Sequence, residues 1–321
     1  MKALTFSQFG GPEVLKYSDV ALPILHDDEV MVKMEAIGLN YADIYRRQGH
    51  YHLKGSPPYI AGYEGAGTII ESNIEKYKVG DRVGFADVPF ANAEMVAVPV
   101  EHLIPLSDDI SFELAASVLL QGLTAQYLAE DSHFVRPGEI VLIHAAAGGV
   151  GQILTQICKL KGATVIGLTT RDSKKVTILG VGADYVLNLR EDWKSQVLAL
   201  TNGKGVDVVF DSIGTTINDS IDVTRMAGQV VFYGMSAGNP QNVDPKILMD
   251  GSKTITGGDL WSYLVSGTER LRRSNQLFNW IRDGQIKVTP AKIFKLSQGE
   301  SAHRFLEGGS ASGKVIMIPE N

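Results

Sequence analysis

The sequence predicts an α/β protein in which a doubly wound parallel sheet lies between two β-rich stretches of chain. Three observations predict it. From Pro137-Gly138 onward, six short apolar runs alternate with helical stretches: Ile140 to His144, Thr164 to Leu168, Tyr185 to Leu187, Val206 to Phe210, Val230 to Tyr233 and Thr254 to Thr256. Such alternation builds a parallel sheet covered by helices on both faces. The first hundred or so residues differ: Glu29 to Met34, Gly67 to Ile70 and Asp81 to Gly84 are short runs broken by glycine and proline, as in an all-β barrel or sandwich. Beyond about residue 265, a helical stretch from Glu269 to Ile281, the run Lys292-Ile293-Phe294 and the final Val315 to Ile318 are too short for a third domain. They are expected to return and complete the first.

Composition bounds the same picture. The 321 residues are 44% hydrophobic and 21% charged, enough chain for about two domains of roughly 150 residues and a sizeable core. Fibrous, collagen-like and largely disordered classes are excluded. Thirty Lys and Arg against 36 Asp and Glu give a net charge of −6, so no global field draws the chain to nucleic acid or an anionic membrane. The single cysteine, Cys158, allows neither an internal disulfide nor a cysteine-built zinc site. No uncharged apolar stretch reaches the roughly 18 residues of a membrane span, and no signal-like segment opens the chain, so a cytoplasmic protein is expected.

The elements follow from local chemistry. Phe112-Glu113-Leu114-Ala115-Ala116 opens an Ala/Leu-rich helix running towards Ala129. The run ending at His144 leads directly into Ala145-Ala146-Ala147-Gly148-Gly149-Val150-Gly151, and a helix follows whose apolar face is Val150, Ile153, Leu154, Ile157 and Leu160, with Gly162 as its stop. Ala146, Gly148 and Gly151 occupy the three spaced positions of a dinucleotide-binding turn. Small residues there let backbone N–H groups at the helix N-terminus approach a pyrophosphate, and Ala147, Gly149 and Val150 belong to the same cradle.

The end of the second run selects the cofactor. An NAD site places Asp or Glu about 20 residues past the turn, on the ribose 2′-hydroxyl. Here the chain reads Thr169-Thr170-Arg171-Asp172-Ser173-Lys174. Hydroxyls and cations suit a 2′-phosphate, so Thr169, Thr170, Arg171 and Lys174 point to NADPH; the alternative is a solvated helix start with Asp172 as its N-cap. Ser212, Gly234 and Ser236 close the fourth and fifth runs, where ligands of open α/β sheets lie, and are candidates for lining the nicotinamide half.

Three weaker patterns compete. Gly234-Met235-Ser236-Ala237-Gly238 matches a nucleophile elbow, with Asp259 and His303 in hydrolase order, but Asn239-Pro240 follows the serine where a helix is required. His50, His52 and Glu64 could ligate a metal, though paired histidines in a loop are more often surface residues. Arg270, Arg272 and Arg273 read as a solvated helix face, with RNA contact as the alternative.

Further landmarks are Gly10 to Leu15, Ile37-Gly38-Leu39-Asn40-Tyr41-Ala42-Asp43-Ile44-Tyr45, Gly80-Asp81-Arg82-Val83, Gly122-Leu123-Thr124-Ala125, Phe210 to Gly214 and Gly313-Lys314. With His144 to Gly151 they make the chain resemble, over nearly its whole length, the zinc-independent NADPH:quinone oxidoreductase (zeta-crystallin-like) group of the medium-chain dehydrogenase/reductase superfamily. The resemblance implies a Rossmann NADPH-binding domain at 124–264 inserted in a discontinuous GroES-like β-barrel domain made of 1–123 and 265–321, with the active site in the interdomain cleft. It implies that Asn40 and Tyr45 face the nicotinamide, that Thr124 lies beside it and that Lys174 meets the 2′-phosphate. Tyr233 and Lys314 complete the cofactor-binding set, and Tyr51 is read as a substrate-side aromatic beside Asn40 and Tyr45, the catalytic candidates.

Zinc alcohol dehydrogenases of that superfamily carry Cys where Asn40 stands and Gly-His-Glu where this chain has Gly62-Tyr63-Glu64. Neither ligand set is present, so no metal is expected. The implied activity is NADPH-dependent quinone reduction. Its rivals are reduction of α,β-unsaturated carbonyls and an RNA-binding or structural role of the kind some zeta-crystallin relatives have; the charge balance makes nucleic acid the less favoured partner. A homodimer or homotetramer is the implied assembly.

Overall fold

A computed structural model describes residues 1–320. It divides into two compact units: residues 1–120, 264–275 and 289–320 form the first, and residues 121–263 with 276–288 form the second. Sequence reasoning carried all of 265–321 back to the first domain. The structure instead groups the second half of one helix, and the turn after it, with the second unit.

The first unit is a barrel-like sheet whose strands run, edge to edge, Lys292–Lys295, Val315–Ile318, Glu29–Leu39, Glu64–Ser72, Arg82–Phe85 and Ile104–Pro105, with Met95–Pro99 also paired to Glu29–Leu39. Both chain ends therefore build one sheet, as expected. Val30, Val32, Met34, Ile37 and Leu39 from the long strand pack with Phe6, Phe85, Leu296, Val315 and Met317 in its core. The antiparallel register pairs Leu39 with Val315 and Gly38 with Glu64. Asn40 consequently leaves the strand beside Lys314 and Glu64 and starts helix α1 (Tyr41–Arg47).

Helix α2 (Phe112–Tyr127) leads into the second unit and ends in a wider turn at Leu128–Ser132. The six expected strands are present there: β1 (Ile140–Ile143), β2 (Thr164–Thr169), β3 (Tyr185–Asn188), β4 (Val206–Asp211), β5 (Thr224–Phe232) and β6 (Thr254–Gly257). All pair in parallel, in the order β3-β2-β1-β4-β5-β6. The winding reverses beside β1, which places the β1 and β4 carboxyl ends at the switch point where such sheets bind ligands. β5 begins six residues earlier than its apolar run suggests, because Thr224 already pairs with Val206 before a register shift.

Helices α3 (Gly149–Leu160), α4 (Lys175–Gly180), α5 (Trp193–Leu200), α6 (Ile217–Asp222) and α7 (Pro245–Gly251) connect the strands, and α8 (Gly267–Arg282) and α9 (Gly299–Glu307) follow. α3 is buried from Gly151 to Cys158, polar side chains included, whereas Leu160, expected on its apolar face, is exposed. No helix among the described residues is long and apolar enough to cross a membrane.

Candidate functional site

In the barrel unit the strand register gathers a buried polar cluster. Asn40, Glu64 and Lys314 are 4%, 0% and 3% exposed. The Asn40 Nδ2 donates to Glu64 Oε2 at 2.7 Å, and the Lys314 ammonium donates to Asn40 Oδ1 at 2.9 Å and also to Glu64 Oε2. The other Glu64 oxygen accepts from the Leu120 N–H at 2.8 Å. Gly38 makes room for this carboxylate: a Cβ there would overlap it and come within 2.6 Å of the Ala116 carbonyl oxygen.

A second ion pair supports the backbone of Asn40. Its N–H donates to Asp43 Oδ2 at 2.9 Å, and Asp43 Oδ1 lies 3.3 Å from Arg46 Nη1. Burial raises the Asp43 pKa, outweighing the opposing pull of Arg46 and of the Asn40 N–H. The Arg46 guanidinium sits 3.5 Å from the Tyr63 ring centre and 5.0 Å from that of Tyr51. Tyr45 and Tyr51 are half-buried and meet edge to face at 6.4 Å between centroids. Of the three catalytic candidates, Asn40 precedes α1, Tyr45 lies on it, and Tyr51, just after it, meets Tyr45. Lys314, expected among the cofactor contacts, has its amine on Asn40 and Glu64.

In the second unit β1 turns into α3 through Ala145, which takes the left-handed conformation at φ 48°, and the Gly148 N–H closes on the Ala145 carbonyl at 2.8 Å. The N-cap Gly148 offers no side chain and the first turn carries no acidic residue, which leaves the helix N-terminus suited to an anion. Gly151 has to be small, because a Cβ there would lie 2.5 Å from the Ala145 oxygen and 2.7 Å from the Ala146 Cα. Ala146 and Ala147 are buried beneath the turn, and Thr124 is buried on α2.

At the β2 carboxyl end the Thr169 hydroxyl receives the Arg171 N–H at 3.3 Å, while Thr170 and Arg171 are exposed. Asp172 does not serve as the N-cap of the alternative reading; its carboxylate accepts from Asn188 at 3.1 Å and pairs with Lys175 at 2.9 Å. Partial burial, and then repulsion from Arg171, lower the Lys174 pKa. Two neighbouring cations repel each other, and an anion between them would relieve that repulsion.

The loops after β4 and β5 are joined: the Ser236 N–H donates to the Ser212 carbonyl at 3.0 Å and the Ala237 N–H to that of Ile213 at 3.0 Å. A Cβ on Gly234 would stand 3.2 Å from the Ser212 carbonyl oxygen, so Ser212, Gly234 and Ser236 are neighbours, with half-buried Tyr233 at the strand end. Asp211 anchors this arrangement. It accepts from the Ile213 and Gly214 N–H groups at 2.8 and 3.2 Å and from the Thr216 and Ser220 hydroxyls at 2.8 and 2.7 Å. Burial alone would raise its pKa, but nearby His144 and these donors bring the net shift down. Because the Ser220 hydroxyl hydrogen goes to Asp211, its oxygen accepts from His144 Nε2 at 3.0 Å. Burial lowers the His144 pKa against the pull of Asp211.

Sequence reasoning missed the roles of Glu64, Asp211 and His144. The signal for Glu64 is a carboxylate opening the otherwise small and apolar strand Glu64-Gly65-Ala66-Gly67, a position that needs a cation partner. The reading of the arginine trio is corrected. Arg270 is buried on Asp87 at 2.6 Å and Arg273 on Glu269 at 2.7 Å, so only Arg272 of that trio belongs to a solvated face. Ser236 is followed by loop up to Pro245, not by the helix of a nucleophile elbow. No group of three or more His, Cys, Asp or Glu among the described residues could hold a metal, and His50 and His52 are exposed.

Comparison with known proteins places this geometry. Residues 26–136 match the alcohol dehydrogenase GroES-like domain and residues 149–275 the zinc-binding dehydrogenase domain. A quinone oxidoreductase of Pseudomonas aeruginosa is 36% identical over 324 residues, covering 99% of each chain. The chain belongs to the quinone oxidoreductase group of the medium-chain dehydrogenase/reductase superfamily. This quinone oxidoreductase-group protein is thus an oxidoreductase, with a GroES-like barrel and a Rossmann sheet. It is also 34% identical to a 2-haloacrylate reductase of Burkholderia sp over 97% of each chain. Among solved structures it resembles Escherichia coli quinone oxidoreductase complexed with NADPH, with a TM-score of 0.96 and 35% identity over 99% of this chain and 100% of that one.

Proposed function

We propose that this protein reduces quinones with NADPH, without zinc. NADPH, when bound, supplies a hydride from its nicotinamide. The observation that carries the zinc-free reading is the Lys314 ammonium on Asn40 Oδ1 and Glu64. Zinc would have to enter beside that cation, with an amide and a carboxylate in place of the thiolates and imidazoles it prefers, so the donor set does not fit it.

The chain's own residues then bind and orient. The turn from Ala146 to Gly151 presents the α3 N-terminus to the pyrophosphate. Arg171 and Lys174, with the Thr169 and Thr170 hydroxyls, hold the 2′-phosphate. Asn40, Tyr45, Thr124, Ser212, Tyr233, Gly234 and Ser236 orient the nicotinamide, and Tyr51 flanks the acceptor.

Acceptor chemistry agrees with this reading. A ketone would become an alkoxide whose conjugate acid is near that of water, about 15.7. A quinone becomes a phenolate-like oxygen near 10. The gap of roughly six units is worth about 8 kcal/mol of anion stability if fully expressed, which favours acceptors needing no Lewis acid.

Conjugated acceptors are the second reading, favoured by the likeness to the 2-haloacrylate reductase, since an enolate is likewise delocalised. NADPH oxidation measured with 1,4-benzoquinone, 9,10-phenanthrenequinone and a 2-alkenal decides between them. Quinone turnover at least tenfold above that of the alkenal is expected; the reverse order would overturn the quinone reading.

A further inference from the structure

Asn40 is the residue before α1, where an asparagine side chain ordinarily turns back to the helix N–H groups. Here its amide also reaches two ionic groups far apart in sequence, Glu64 24 residues away and Lys314 274 residues away. An amide has two faces of opposite polarity. A carboxylate only accepts and an ammonium only donates. Flipping the Asn40 amide would set its NH2 against the Lys314 ammonium and its carbonyl against the Glu64 carboxylate. Two contacts would become repulsive at once, in a site where burial strengthens every electrostatic term.

We infer that Lys314 is a positioning residue for the reaction: with Glu64 it fixes the orientation of the Asn40 amide and so the group that Asn40 presents to the nicotinamide. The inference rests on the proposed contact between Asn40 and the nicotinamide. Three features of the fold serve it. The register that pairs Leu39 with Val315 sets Lys314 opposite Asn40. Gly38 clears the space for Glu64. The Leu120 N–H takes the carboxylate oxygen that the amide leaves. Asp43 and Arg46 hold the Asn40 backbone, so the side chain and the main chain of one residue are each fixed by their own ion pair.

The test compares Lys314→Met, Asn40→Ala, the Asn40→Ala/Lys314→Met double variant, and Lys314→Met/Glu64→Gln, which removes both charges and keeps the fold testable if the lone buried carboxylate unfolds Lys314→Met. Steady-state kinetics are read with the best acceptor of the wild type, and the nicotinamide emission of bound NADPH is read without any acceptor. If Lys314 acts through Asn40, Lys314→Met/Glu64→Gln and Asn40→Ala each lower kcat at least tenfold with the KM for NADPH within about threefold. The Asn40→Ala/Lys314→Met variant is then no slower than Asn40→Ala within about twofold, and all share one altered emission spectrum. Losses that multiply in that double variant overturn the inference, as does wild-type kcat and emission in a folded Lys314→Met/Glu64→Gln protein. A wild type that reduces no acceptor would remove the quinone reading alone, and the emission spectra would still decide the role of Lys314.

Discussion

At the scale of single residues, buried and half-exposed charges carry the chemistry of this chain, and each makes a separate claim. Arg171 is exposed and Lys174 half-buried beside it. A hydrogen bond to a charged group is worth about 1.5–3 kcal/mol, or roughly ten- to a hundredfold in affinity. Arg171→Ala and Lys174→Ala are each expected to weaken NADPH by that factor in a fluorescence titration and to leave NADH within about threefold; equal losses for both cofactors would remove the 2′-phosphate assignment. His303 makes a claim about stability. Burial, and then the neighbouring Arg47 whose Nη1 lies 3.3 Å from its Nδ1, push its pKa down to about 3. An unfolded histidine titrates near 6.5, so between those values the unfolded chain binds the extra proton. The contribution is therefore complete above about pH 6.5 and is lost as the pH falls towards 3. Between pH 7 and pH 5 the loss is on the order of 2 kcal/mol at 1.36 kcal/mol per unit. Urea unfolding at both pH values should show His303→Gln losing less stability than the wild type by about that amount, and an unchanged difference would place the acid sensitivity elsewhere.

At the scale of elements, the strand–turn–helix unit from Ile140 to Leu160 shows why a short motif was legible and a buried cluster was not. Ala146, Gly148 and Gly151 could be found because the need for small residues is local: the Gly151 position faces the backbone of its own turn. The same locality makes it testable. Gly151→Ala should cost about 1–3 kcal/mol through overpacking and weaken cofactor binding. Gly180, the last residue of α4, has nothing within 4 Å of an added Cβ, so Gly180→Ala should stabilise by about 0.5–1 kcal/mol. Urea denaturation of the two variants measures both, and equal effects would mean that the close approach at Gly151 is not what demands glycine. Asn40, Glu64 and Lys314 illustrate the opposite case. Their meeting depends on the pairing of Leu39 with Val315, a register between strands from the two ends of the chain, and no local pattern encodes it. Arg270 was misjudged for the same reason, since the helix pattern shows a row of charges but not the Asp87 packed beneath it.

At the scale of the whole molecule, the six parallel strands and the return of the C-terminal strand to the barrel were legible because alternation and chain length restrict the topologies available. The division between units was less so: α8 is one uninterrupted helix whose two halves belong to different units, and periodicity carries no mark of that change. Net charge poses the remaining question at this scale. A chain of −6 is proposed to bind a polyanionic cofactor, so the attraction must come from a few cations near the β2 end and must exceed a global repulsion. Arg171 is exposed, so its interaction with a phosphate is screened as ionic strength rises, over a Debye length of about 10 Å at 0.1 M and 3 Å at 1 M. The pyrophosphate interaction with the α3 backbone is common to NADPH and NADH. Salt should therefore act on the difference between the cofactors. Titrations at about 0.05 M and 0.5 M KCl, ionic strengths that bracket the screening range, are expected to show the NADPH affinity falling several-fold more than that of NADH. A preference independent of salt would mean that buried hydrogen bonds, not the exposed Arg171 and its neighbour Lys174, distinguish the two cofactors.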